Sequence, residues 1–350
     1  MILLSEEANL ILAVAQVRAS ARCAAVPPNV PFGHELEQGE VMNETPFVVE
    51  TSGLTKRFGD REVVKDVELH VPRGSAFGYL GPNGAGKTTL IRMLLGLTSA
   101  NAGSMRLLGL PVPERRAEAL RRVGAIVEEP SFHGHLTGRE NLHIVAAARE
   151  AEVHARIPTV LEAVGLSGRA DERVKTYSMG MRQRLGVARV LLADPELLIL
   201  DEPANGLDPA GILEFRGLVR RLVDEGRTVM LSSHLLDEVE KTCDAVAIVD
   251  RGQIVAQGTI AELRDGGGSH VLIEAEPIEH ARALLAASRA VSEVSDDGSM
   301  LRARLSDPGA VPELNRRLVE AGIAVRRLEP VQASLEQRFL EITSRFEKAA

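Results

Sequence analysis

Residues Gly81-Pro82-Asn83-Gly84-Ala85-Gly86-Lys87-Thr88-Thr89 constrain this chain more than any other stretch. They form a complete GxxxxGK[ST] loop, set between an apolar run (Ala76 to Leu80) that reads as a strand and a helical pattern beginning near Thr88. Glycines 81, 84 and 86 let the backbone curl so that successive N–H groups point inward. The N-terminus of the following helix adds its partial positive charge, and the two together make a cradle for a polyphosphate. Lys87 would reach the outer phosphates. Thr88 would offer a hydroxyl to Mg²⁺, which prefers oxygen ligands and keeps phosphate and water in its shell. This loop alone is shared by several unrelated chemistries.

A second constellation lies downstream. Leu197 to Leu200 form a continuous apolar block suited to a parallel strand buried on both faces, and Asp201-Glu202 follow it directly. Open parallel sheets hold their ligands at the carboxyl ends of the strands. Asp201 is expected to bind Mg²⁺, and Glu202 to polarise an attacking water, as phosphoryl transfer requires. About 30 residues later Thr228 to Ser232 read as another strand, ending in Ser233-His234. A lone histidine at a strand end is ordinarily a surface residue. Here it would leave the sheet at the same edge as Asp201, which makes His234 a candidate contact to the γ-phosphate or the water.

The chain is 350 residues long and 45% hydrophobic, enough for one full-sized core and a smaller one. No stretch approaches the roughly 18 uninterrupted apolar residues of a spanning helix, so a soluble chain is expected. Its formal net charge is −8, with both signs mixed, which argues against a bulk electrostatic grip on nucleic acid. The two cysteines, Cys23 and Cys243, fit neither a disulfide framework nor a zinc site and agree with a reducing cytoplasm.

Four segments are expected. Residues 1–45 are an extension with an apolar stretch near Leu10 to Val17 and a Pro-rich segment; Glu6 and Glu7 precede the stretch where a signal peptide carries positive charge. Translation beginning at Met42 is the alternative, because Gly39-Glu40 can be encoded by a purine-rich sequence resembling a ribosome-binding site. Residues 46–263 alternate strand-like and helical runs. Residues 264–269 are a linker by composition. Residues 270–350 read as strand (271–274), helix (278–287), a hairpin (291–294 and 300–305) turning at Asp297-Gly298, helix (311–321), strand (324–328) and helix (333–343). The order βαββαβ predicts a ferredoxin-like α+β sandwich, in a regulatory or docking role.

From Val48 to Leu263 the chain resembles the ATP-binding subunits of ABC transporters, with all motifs in order. Tyr177-Ser178-Met179-Gly180-Met181-Arg182-Gln183-Arg184 looks like a divergent form of that family's LSGGQ signature, with Met179 at a usual glycine. The resemblance implies an α/β P-loop NTPase domain of the ABC ATPase type, followed by the small C-terminal domain. It implies ATP and Mg²⁺ as cofactors, and a homodimer, or a pair with a similar subunit, joined through ATP. Ser178 and Gly180 of one subunit would cap the γ-phosphate held by the loop of the other. Asp208, in Asn205-Gly206-Leu207-Asp208, would help couple the two sites, and Phe58 would stack on adenine, where a tyrosine is more common.

One position departs from the pattern. Where the family has a Gln, Gly124-Ala125-Ile126-Val127-Glu128-Glu129-Pro130 puts Glu128, a carboxylate that could ligate Mg²⁺ or orient the hydrolytic water. Glu128, the signature and Leu136-Thr137-Gly138-Arg139-Glu140-Asn141-Leu142 look like the branch exporting peptide antibiotics such as bacitracin and lantibiotics. Ser334-Leu335-Glu336-Gln337-Arg338-Phe339-Leu340 is similar to the end of many exporter subunits, drug-resistance ones included. The resemblance further implies an integral membrane permease as partner, and a cytoplasmic location on the inner face of the membrane. The rival is a soluble ABC ATPase that remodels ribosomes or DNA; most of those carry two cassettes or long coiled coils, whereas this chain has one cassette and no sustained heptads. An inactive regulatory subunit would need a damaged loop or acidic pair, and both are whole.

Overall fold

The computed structural model describes residues 46–149, 151–265 and 269–332. The expected extension 1–45, with Cys23 and Met42, and the expected helix 333–343 lie outside the described residues. The chain divides into two units. One runs up to His234 and adds Lys241–Cys243 and Val249–Ile254; the other takes Leu235–Glu240, Asp244–Ile248 and the chain from Val255 onward.

The first unit contains a sheet that alternation alone did not reveal. Strands β1 (Phe47–Phe58), β2 (Arg61–Pro72), β4 (Ala102–Leu107) and β5 (Leu110–Val112) pair antiparallel in the order β2-β1-β4-β5. The β1–β2 register shifts between Thr51 and Leu54. Beside that shift the buried Thr51 hydroxyl donates to the Val67 carbonyl (2.7 Å) and accepts from the Leu69 N–H (3.0 Å), so it takes up backbone groups the ladder does not pair.

The parallel strands position the site. Strands β3 (Ala76–Leu80), β6 (Val123–Ile126), β7 (Leu197–Leu200) and β8 (Thr228–Ser233) pair in the order β6-β7-β8-β3. Every residue of β3, β7 and β8 is buried, the signature of a sheet covered on both faces, where continuous apolar runs replace alternation. In register, Leu80 lies beside Ser233, Leu231 beside Leu200, and Leu200 beside Ile126. All four strands therefore end at one edge, and the segments beginning at Gly81, Val127, Asp201 and His234 leave it together.

Helices α1 (Lys87–Leu94), α2 (Gly138–Ala147), α3 (Met179–Leu191) and α4 (Pro209–Asp224) belong to the same unit. Their starts are set by side chains: Thr137 and Glu140 form a reciprocal capping box on α2, Ser178 caps α3, and Asp208 caps α4. Strands β9 (Ala245–Asp250) and β10 (Gln253–Thr259) follow.

In the second unit, helix Ile260–Asp265 takes in Arg264 and Asp265, residues 266–268 lie outside the described residues, and Ser269 opens β11 (Ser269–Glu276). Then come α5 (Ile278–Ala286), β12 (Val291–Asp297), β13 (Met300–Leu305), α6 (Val311–Glu320) and β14 (Ala324–Gln332). The sheet order is β12-β13-β11-β14, every pair antiparallel, so β11 and β12 run parallel with β13 between them. That is the split βαβ arrangement of the ferredoxin-like sandwich. Val271, Ile273, Leu285, Leu301, Leu314 and Leu318 form its core. Each such side chain contributes on the order of 1.5–3 kcal/mol when removed from water. Among the described residues, no helix is long and apolar enough to cross a membrane.

Candidate nucleotide site

The loop 81–86 turns sharply out of β3. Gly86 has φ 98°, in the left-handed region that favours glycine, and its carbonyl accepts the Leu90 N–H at 2.9 Å, so the helix begins without a side-chain cap. The N-terminal amides of α1 are thus left facing the loop. Lys87 is 6% exposed, an unusual burial for a cation, and its Nζ donates to the carbonyls of Gly81 (2.7 Å) and Pro82 (3.2 Å) and lies 3.0 Å from Glu202 Oε1. A cavity of about 700 Å³ is lined by Pro82, Asn83, Gly84 and Ala85 together with residues that include Arg57, Gly59 and Arg251. Phe58, at the end of β1 between two lining residues, is 54% exposed, with the Lys56 ammonium 5.0 Å over its ring.

At the neighbouring strand ends, Asp201 accepts hydrogen bonds from the hydroxyls of Ser232 and Thr88. Burial pushes the Asp201 carboxyl above its usual range, while those hydrogen bonds oppose the shift. Glu202 sits at φ 47°, outside the ordinary range for a residue with a Cβ. Its carboxylate spans two side chains, the Lys87 ammonium through Oε1 and the His234 ring, Nδ1, through Oε2 at 2.8 Å. Thus Lys87, Thr88, Asp201, Glu202 and His234 come together at one sheet edge, and Thr89 follows them in the first turn of α1.

The remaining candidates have local tasks. The Ser178 hydroxyl accepts the Met181 N–H (3.2 Å) and Asp208 accepts the Gly211 N–H (2.9 Å), each as a helix cap. Met179 lies over Gly206, where a Cβ would come within 2.5 Å of its sulfur, so the bulky residue in the signature is accommodated by the glycine of the next loop. A Cβ at Gly180 would meet nothing nearer than 3.8 Å. Glu128 is drawn to Arg92 of α1, Nη2 to Oε1 at 2.6 Å, and the adjacent Glu129 lies 3.8 Å from Arg182 of α3.

Residues 64–205 match the ABC transporter family, and residues 258–343 match the C-terminal domain of DrrA1-3-like ATP-binding proteins. The chain is 41% identical over 298 residues to an uncharacterized ABC transporter ATP-binding protein, YdbJ, of Bacillus subtilis, covering 85% of this chain and 96% of that protein. The chain belongs to the ABC transporter ATP-binding proteins. Other ABC relatives carry functional names. The bacitracin transport ATP-binding protein BcrA of Enterococcus faecalis is 37% identical (85% and 96% covered), and the daunorubicin/doxorubicin resistance ATP-binding protein DrrA of Streptomyces peucetius is 38% identical (86% and 94% covered). A solved ATP-binding subunit of an ABC transporter superimposes with TM-score 0.55 at 30% identity, over 63% of this chain and 93% of that one.

Among the described residues, no three His, Cys, Asp or Glu side chains gather as a ligand set. The Thr88 hydroxyl beside the buried Asp201 carboxylate is a pair of hard oxygen donors, which fits an ion that takes its other ligands from phosphate and water. Ser232 and Arg92, which touch the acids and Glu128, were not singled out in the sequence. Ser232 carried a signal all the same, being the polar residue facing the acids' strand end two positions before His234.

Proposed function

We propose that this ABC subunit hydrolyses ATP at two sites shared between paired protomers, a homodimer or a pair with a similar subunit, and thereby powers a separate membrane permease that exports peptide antibiotics or drugs. The observation that carries the reading is the Lys87–Glu202–His234 constellation beside Asp201 and Thr88 at one sheet edge. Gly81 to Thr89 hold the phosphates, Phe58 stacks on adenine, and Thr88 and Asp201 hold Mg²⁺, which when bound neutralises phosphate charge. Glu202 orients the attacking water as base, and His234 fixes the Glu202 carboxylate and reaches toward the γ-phosphate. Ser178 and Gly180 deliver a helix N-terminus to the partner protomer's nucleotide. The room around Gly180 within its own chain supports an intermolecular role.

Residues 46–263 do this work, and 270–350 serve regulation or docking. Export rests on the bacitracin and daunorubicin relatives, and so does the location on the cytoplasmic face of the membrane. No relative reported above is named for ribosomes or DNA, which speaks against the soluble remodelling ATPase. Deleting the gene tests export. The deletion strain should become more susceptible to bacitracin-like peptides or to anthracyclines, and complementation with Lys87→Ala should fail to restore resistance; unchanged susceptibility across such a panel contradicts it.

A further inference from the structure

Ser232 lies fully buried in β8, two residues before His234. Its hydroxyl accepts the backbone N–H of Glu202 at 2.8 Å and donates to Asp201 Oδ1. A hydroxyl has one hydrogen, so this polarity is fixed: the proton goes to the carboxylate, and a lone pair goes to the amide. The amide is that of a residue held at φ 47°, a conformation that costs free energy and persists only where its surroundings enforce it. The Asp201 amide is held separately by the Ile126 carbonyl at 2.8 Å, so Ser232 is the described contact that bears on the Glu202 amide and the Asp201 carboxylate at once.

We propose that Ser232 is a positioning residue for the ATPase reaction: one buried hydroxyl sets the Asp201 carboxylate toward the metal and pins the Glu202 backbone so that its carboxylate meets the water. This rests on the hydrolysis reading above. It also ties the two acids to β8, which His234 directly follows, so three site residues just past the ends of two strands are held together.

Removing the hydroxyl leaves the Glu202 amide without its acceptor and takes a donor from Asp201. Hydrogen-bonded supports of this kind cost roughly 10- to 100-fold in metal affinity or activity when deleted. Ser232→Ala should lower kcat by roughly that factor and raise the Mg²⁺ concentration at half-maximal turnover, with metal-free binding of a fluorescent ATP analogue unchanged. Ser232→Thr, which keeps the hydroxyl, should recover most of kcat. Ser232→Cys, of similar size with a weak acceptor, should behave like the alanine variant and carries the test if the alanine variant does not fold. Wild-type kcat and Mg²⁺ dependence in Ser232→Ala or Ser232→Cys, with Glu202→Gln inactive, overturn the positioning role and leave the hydrolysis reading standing. Wild-type turnover in Glu202→Gln overturns that reading itself.

Discussion

Glu128 and Arg92, 36 residues apart in sequence, form an ion pair at 2.6 Å that ties the segment after β6 to the helix carrying Lys87. The carboxylate standing where the family has Gln thus has its charge met by a guanidinium. Both side chains are well exposed, 51% and 37%, so the pair is worth at most about 1 kcal/mol. Glu128→Gln is predicted to keep turnover within roughly fivefold of wild type, the factor corresponding to that energy. Steady-state ATPase rates check this, and a hundredfold loss would place the carboxylate on the metal or the water.

Gly180 sits in the first turn of α3 with its nearest prospective neighbours at 3.8 Å and 3.9 Å, ordinary contact distances. Alanine is the better helix former by up to about 1 kcal/mol. Gly180→Ala should therefore melt at the same temperature as wild type or slightly higher, while its ATP turnover falls because the added methyl intrudes on the opposing protomer's phosphate. Thermal melts and turnover measured on one preparation separate the two effects. Unaltered turnover would mean that nothing approaches α3 there.

Glu196, just before β7, is held below the usual carboxylate range by a two-pronged hydrogen bond from Arg122, one prong being Nη2 to Oε2 at 2.6 Å, with Arg73 adding at 3.4 Å. The unfolded carboxyl binds its proton more readily than the folded one. The pair's stabilisation is therefore present above the ordinary pKa of about 4.3 and is lost as pH falls through the depressed folded value. Discounted for solvent screening, it is on the order of 0.5–1 kcal/mol. Glu196→Gln should lower Tm at pH 7, and the gap should close below about pH 4. A gap that persists into strong acid would assign the loss to packing.

What was legible in the sequence follows from the range of the interactions involved. The loop 81–89, the apolar block before Asp201-Glu202 and the strand leading to His234 are local patterns, and a parallel sheet buried on both faces gathers such strand ends at one edge without further information. The βαββαβ order after Ser269 was likewise readable from period and turn residues, because Asp297-Gly298 favours a tight hairpin turn, and Gly298 takes the positive φ of 64° that such a turn uses. The antiparallel sheet of β1, β2, β4 and β5 was not, since alternation shows a strand but not its partner; Thr51 reveals the irregular register only once Val67 lies beside it. The same limit hid Ser232 beneath the acids and Arg92 beside Glu128, both set by contacts some 30 residues or more away in sequence. For Asp208 and Ser178 the helix-capping task appeared only with the folded chain.

In the proposed reaction two protomers enclose ATP and Glu202 drives its hydrolysis. Glu202→Gln keeps Lys87, Thr88 and Asp201 in place and removes the carboxylate, so size-exclusion chromatography and phosphate release with and without Mg-ATP read both steps on one variant. Retained ATP binding, no phosphate release, and a shift to the dimer only when ATP is present are the expected outcome. Phosphate release at the wild-type rate, or a monomer at saturating Mg-ATP, would contradict it.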